Sequence, residues 1–164
     1  MRALSIALLG LMISVESLPA ADLVKEVRHE LLLVRGYTVF DWLAYRVDGS
    51  KVTLLGAVVN ADLKRDAEKA VKGIEGVGVV QNDIEVLPAS AGDDRIRHAI
   101  LRSIDDSMGV YLSEEVKRIH IIVKNGNVTF EGEVSTQSDK DHATALAKHA
   151  QGVHDVTNDL TIQQ

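Results

Sequence analysis

The stretch NVTFEGEVSTQSDKDHATALAKHAQGVHDVTNDLTI, residues 127–162, decides the fold, because the chain carries it twice. Residues 51–86, KVTLLGAVVNADLKRDAEKAVKGIEGVGVVQNDIEV, lie 76 positions earlier and align without a gap. Identities run from Val52/Val128 and Thr53/Thr129 through Gly56/Gly132 and Ala67/Ala143 to Gly76/Gly152, Val80/Val156 and Asn82/Asn158. They number 12 in 36 positions, where typical residue frequencies would give on the order of two or three. A repeat is sought before any other feature, since it sets the architecture. The 164 residues therefore divide into two small units. Each is near the lower limit for independent folding, so mutual packing is expected.

The second unit reads clearly in order. Asp93 or Asp94 caps a helix, along which Ile96, Ala99, Ile100 and Ile104 recur at helical spacing. Ser107, Met108 and Gly109 end it. From Val116 the period becomes two: Ile119, Ile121 and Val123 point inward, His120, Ile122 and Lys124 outward. Asn125-Gly126 turns the chain. Val128, Phe130, Gly132 and Val134 then face the core, with Thr129, Glu131 and Glu133 in water. Ala143, Leu146, Ala147 and Ala150 stripe a second helix, Gly152 follows its end, and Val156, Leu160 and Ile162 form a last strand, parallel to its neighbour after a crossover. An inward glycine at Gly132, or Gly56 in the first unit, lets an alanine-lined helix approach the sheet.

The first unit follows the same plan, with Leu23, Val24, Val27 and Leu31 on its first helix, Leu43, Tyr45 and Val47 on its first strand and a slightly longer turn at Asp48-Gly49. The loop after the first helix reads about four residues longer in the second unit. The expected fold is α+β: two tandem αββαβ units, each a three-stranded mixed sheet with two helices on one face. Residues 22–88 and 93–164 bound the units. Residues 1–20, with Arg2, an apolar run Ala3–Val15 and small residues before Ala21, have the order of a cleaved secretory signal peptide.

Composition excludes several chemistries. A formal net charge of −6 argues against a nucleic-acid backbone binder. Gly73-Ile74-Glu75-Gly76 mimics the GXXG loop of a nucleic-acid-binding module, without basic neighbours. The absence of cysteine removes disulfides, thiolate ligands and the acylation site of a lipoprotein. His142 and His149 are seven apart, roughly 10 Å along a helix, too far for one ion even with His154 nearby. The acidic pairs Asp105-Asp106 and Glu114-Glu115 have no adjacent nucleophile or base. No catalytic residues, metal or cofactor are expected.

Two surfaces stand out. The outer sheet face of the first unit carries Trp42, Ala44, Leu55, Ala57 and Val59, an apolar patch for the second unit or for a partner protein. The first helix of the second unit and the loop after it carry Arg95, Arg97 and Arg102 beside Met108, Val110 and Tyr111, a combination suited to an anionic lipid surface.

The spacing of Val128-Thr129, Gly132-Glu133-Val134, Ala143, Ala147, Gly152-Val153, Val156, Asn158 and Leu160 resembles the BON domain, and the first unit carries the same signature. The resemblance implies a non-enzymatic, exported envelope module that attaches peripherally to phospholipid surfaces, particularly anionic ones, and supports the envelope under osmotic or other stress. It places the protein in the periplasm. An adaptor that binds another envelope protein through the Trp42 face is the alternative. The acidic cast of the second unit, and Asp139 where the first unit has Leu63, depart from the pattern.

Overall fold

The computed structural model describes residues 20–112 and 119–163. Residues 1–19, which hold the expected leader apart from its last position, and residues 113–118, which hold Glu114-Glu115, lie outside them. The first unit runs α1 (Ala20–Leu32), β1 (Trp42–Asp48), β2 (Lys51–Val58), α2 (Ala61–Lys72), β3 (Val79–Asn82) and β4 (Glu85–Val86). The second runs α3 (Ala91–Met108), a 3-10 turn (Gly109–Tyr111), β5 (Ile119–Lys124), β6 (Asn127–Val134), α4 (Gln137–Lys148), β7 (Asp155–Asn158) and β8 (Thr161–Ile162).

In each unit the second strand is central. β2 pairs antiparallel with β1 and parallel with β3 and β4. β6 does the same with β5, β7 and β8. The third strand is thus split in two, and the conserved spacing of the repeat explains the split. The side-chain oxygen of Asn82 accepts from Ile84 N, and that of Asn158 from Leu160 N. These local bonds turn the chain out of the ladder for a residue or two. The amide of Asn82 donates to Lys64 O and Glu68 Oε2, both at 3.0 Å. That of Asn158 donates to Lys140 O and Thr144 Oγ1, both at 2.7 Å. One asparagine per unit therefore pins the last strand to the helix that crosses over it.

Each unit closes its own core. Leu23, Val27, Leu31, Val52, Leu54, Val58, Leu63, Ala67 and Val71 are buried in the first, and Ile96, Ile100, Ile104, Ile119, Ile121, Phe130, Val134, Ala143 and Ala147 in the second. A fully buried side chain of this size contributes about 1.5–3 kcal/mol. Val24 leaves the expected stripe; it is 40% exposed, and its carbonyl accepts from Tyr45 Oη instead.

Four local expectations are corrected. Ser90, not Asp93 or Asp94, caps α3, accepting from Asp93 N. The loop after the first helix is not four residues longer in the second unit, because α1 ends at Leu32 and α3 at Met108, again 76 apart (108 − 32). The first hairpin is no longer than the second: Asp48 pairs with Lys51 as Lys124 pairs with Asn127, leaving two residues in each turn. Gly49-Ser50 has positive φ at its first residue alone, whereas Asn125 and Gly126 both have it, so the two turns differ in type. Finally, Gly56 does not make room for a helix. Its φ is +111°, and a Cβ there would lie 2.0 Å from the carbonyl oxygen of Trp42 on the adjoining strand. The repeat demands glycine for backbone conformation, and Gly132 shares it at φ +117°.

Candidate functional site

The head of α3 is built by charges that turn inward. Asp93 is buried, and its carboxylate accepts from Asn125 N at 2.9 Å and Gly126 N at 2.8 Å. It fastens the helix to the β5–β6 turn. One turn further, Arg97 donates to the Asp94 carboxylate and to Val123 O. Its side chain is 4% exposed. Both acidic residues at the start of the helix are thereby engaged within the unit.

This arrangement divides the six candidate lipid residues. Arg97, Met108 and Tyr111 are buried, contrary to the exposure expected of them. The physical reason is helical phase: Arg97, Ile100, Ile104 and Met108 recur at spacings of three and four on the core side. The Tyr111 hydroxyl donates to Asp139 Oδ2 at 2.9 Å and accepts from Ser135 N at 3.1 Å. Together with Thr136 it accounts for Asp139 at a place where the first unit has buried Leu63. The hydrogen bond from Thr136, then that from Tyr111, holds the Asp139 carboxyl below its ordinary range. Arg95, Arg102 and Val110 remain exposed. Val110 is fifteen residues beyond Arg95, about 20 Å at helical rise, so the structure does not gather them into one spot.

What it does gather is a stripe that the sequence reading missed. Arg95, His98 and Arg102 follow one another at spacings of three and four on the solvent side of α3, a signal that was readable from the sequence. They line an open depression closed on its far side by Gly152 and His154. His154 Nδ1 donates to Asn125 O at 3.1 Å, and the ring lies so close over Gly126 that a Cβ there would stand 2.7 Å from it. The rings of His98 and of Phe40, from the first unit, meet nearly at right angles with centroids 5.1 Å apart. The acidic Asp105 and Asp106, also exposed, follow Arg102 by three and four residues and so border the stripe at its C-terminal end.

The apolar face of the first unit adjoins the second. The Trp42 ring lies 5.1 Å from that of His120, and Tyr37 stacks on the same imidazole at 5.2 Å. His120 is 4% exposed, which corrects the expectation that it faces solvent. Val39 O accepts from Ile121 N at 2.7 Å, so the loop before β1 covers the free edge of β5. The loop is shaped by buried Asp41, which accepts from Thr38 N, Thr38 Oγ1 and Val59 N. Lys124 pairs with Glu85 across the same junction. Ile122 and Leu87 are buried there without belonging to either core. Ala44, Leu55 and Ala57 are half-buried, and Val59 is exposed. Burial raises the Tyr37 phenol well above its ordinary range. A cleft of about 400 Å³ opens at this seam, lined by Arg28, Leu32, Trp42, Ala44, His120 and Glu133 among others.

Among the described residues, no three histidine or carboxylate side chains stand close enough to hold a metal ion. None of the described helices is long and apolar enough to cross a membrane.

Two copies of one α+β module in tandem define the class to which the chain belongs. The BON domain family model matches residues 42–88 and 92–164. The chain belongs to that family. It is 27% identical over 121 residues to Osmotically-inducible protein Y of Escherichia coli, covering 72% of this chain and 60% of that one. It is 32% identical over 107 residues to the Outer membrane lipoprotein DolP of Haemophilus influenzae, covering 65% and 55%. The match thus spans somewhat more than half the length of these relatives. The C-terminal domain of CdsD, a structural protein of the type III secretion system of Chlamydia trachomatis, aligns over 89% of this chain at 11% identity and a TM-score of 0.36, too distant to bear on function.

Proposed function

We propose that the protein is a non-enzymatic, exported envelope component that docks peripherally on anionic phospholipid surfaces and supports the envelope under osmotic stress. The observation that carries the reading is the exposed stripe of Arg95, His98 and Arg102 on α3, with the neighbouring Asp93 buried and the exposed Asp94 paired with Arg97. Each cation near an anionic surface contributes about 1 kcal/mol. Kinship with an osmotically inducible protein and an outer membrane lipoprotein supports the envelope setting, and the leader-like order of residues 1–20 supports export into the periplasm. Asp105 and Asp106, one turn beyond Arg102, oppose contact at that end of the stripe, so its Arg95–His98 end would lie nearer the surface.

Co-sedimentation with phosphatidylglycerol vesicles at low salt tests it. The intact chain should pellet with them and not with phosphatidylcholine alone. The Arg95→Glu/Arg102→Glu variant should lose on the order of tenfold or more in affinity. Equal sedimentation of variant and parent would remove the proposed face. The adaptor reading has less surface to offer, since Trp42 already rests on His120.

A further inference from the structure

We infer that His98 and His154 make this docking pH-dependent, so that acidification strengthens it. The inference rests on the lipid-surface reading of α3 and adds its regulation. Four side chains with basic groups line the depression, and only two of them, Arg95 and Arg102, are charged at every physiological pH. Histidine is the side chain that gains its charge between pH 8 and pH 5. Protonation of His98 and His154 would double the positive charge on the rim, with no change of fold required.

The surroundings of both rings allow this. His98 is exposed on α3, with Phe40 of the first unit against its ring and Arg95 and Arg102 one turn away on either side. His154 gives its Nδ1 proton to Asn125 O, which leaves Nε2 as the nitrogen that takes up the second proton. The other charged groups facing the depression are Asp93, occupied by two backbone N–H groups, and Asp94, which pairs with Arg97 but stays exposed one turn before His98; Asp105 and Asp106 follow Arg102 on the same helix. The turn after α4 contributes only Gln151 and Gly152 beside His154, and the β5–β6 turn only Asn125 and Gly126. Neither histidine forms an ion pair with a carboxylate of the described residues, although Asp155 follows His154 in the chain. Their charge is thus available to a surface outside the protein.

An anionic surface close to a histidine favours its protonated form. Binding and protonation are therefore linked, each promoting the other.

The experiment is vesicle co-sedimentation of the full chain at about pH 5.5 and about pH 7.5, on either side of the histidine transition. Phosphatidylglycerol keeps its charge across that range. Affinity should rise about fivefold per histidine, on the order of twentyfold for both. The His98→Gln/His154→Gln variant should lose most of that ratio while still binding at the higher pH through Arg95 and Arg102. His98→Gln alone, at an exposed position, should lose about half of it on a logarithmic scale. The His142→Gln/His149→Gln variant, altered at exposed positions on and just after α4, should keep the parent ratio. A parent whose affinity is the same at both pH values, or a double variant that keeps the full ratio, would overturn the inference and leave the docking reading standing. Sedimentation at neither pH would remove the docking reading and this one with it.

Discussion

The two units share a plan and differ in what surrounds it. In β2 the outer face is half-buried and built from Thr53, Leu55 and Ala57, whereas in β6 it is built from Thr129, Glu131 and Glu133. In β5 the first five residues are buried on both faces, yet in β1 buried and less buried positions mix. The same module therefore presents one sheet that is polar except where its sister touches it, and one that is apolar around the contact. Duplication supplied two identical frames, and divergence at their outer faces made them halves of one object. Burying Trp42 and His120 against each other removes apolar surface that a single small domain would leave in water.

The largest effect is expected where the frames are most alike. Gly56→Ala places a Cβ against the Trp42 carbonyl at a φ that only glycine tolerates. It should cost about 3–5 kcal/mol in chemical denaturation, and Gly132→Ala a comparable amount. Gly49→Ala is the control: its φ is also positive, but nothing lies within 4 Å of the added carbon, so about 1 kcal/mol is expected. Equal costs at Gly49 and Gly56 would show that the carbonyl of the neighbouring strand plays no part.

Asn82→Leu and Asn158→Leu come next. Each leaves two acceptors and one backbone donor without their partner at the break in the third strand, for about 2 kcal/mol. The second should cost more, since its amide bonds are 2.7 Å against 3.0 Å in the first unit. Hydrogen exchange at Ile84 N and Leu160 N reads the two clamps separately. Loss of protection in both units from one substitution would mean that the units open together rather than one at a time.

These cases show which kinds of information a sequence carries. Ile119-Ile121-Val123 and Ile96-Ile100-Ile104 were legible because each obeys a period that a single element imposes on itself. The glycine positions were legible from the repeat, but the reason for them was not. It lies in the backbone of the neighbouring strand, which no side-chain pattern records. His120 was assigned to the correct face of β5; that the face is dry depends on Tyr37 and Trp42, some eighty residues away. Asp93 has the composition of a cap, and only the folded chain brings Asn125 and Gly126 to its carboxylate. The candidate site failed for a nearer reason. Arg97 was grouped with Arg95 and Arg102 by charge, although helical spacing already placed it with Ile100 and Ile104 and placed His98 with the exposed arginines.

The smallest predicted effect separates the two clamps by pH. In the first unit the Asn82 amide donates to the carboxylate of Glu68; 76 positions on, its counterpart donates to the hydroxyl of Thr144. The hydrogen bond from Lys72, and then that from Asn82, lowers the Glu68 carboxyl below its ordinary range. A group whose folded pKa is depressed stabilises the fold at pH values above its unfolded pKa, and the contribution disappears as pH falls through the folded value. Glu68→Thr copies the second unit's clamp into the first and removes this dependence. Parent and variant should differ in melting temperature by a constant amount from neutral pH down to roughly pH 4.3, the ordinary range of glutamate. Below that the difference should narrow, because only the parent loses the Glu68 contribution. Asp139, also lowered, and Glu131, raised first by burial and then by Asp159, titrate in both proteins and cancel in the comparison. The shift should be small, since Lys72 is more than half exposed and its pairing with Glu68 is screened by solvent. A difference that stays constant through the acid range would mean that the Asn82 amide gains nothing from meeting a charged acceptor, and that the two clamps are equivalent in energy as well as in position.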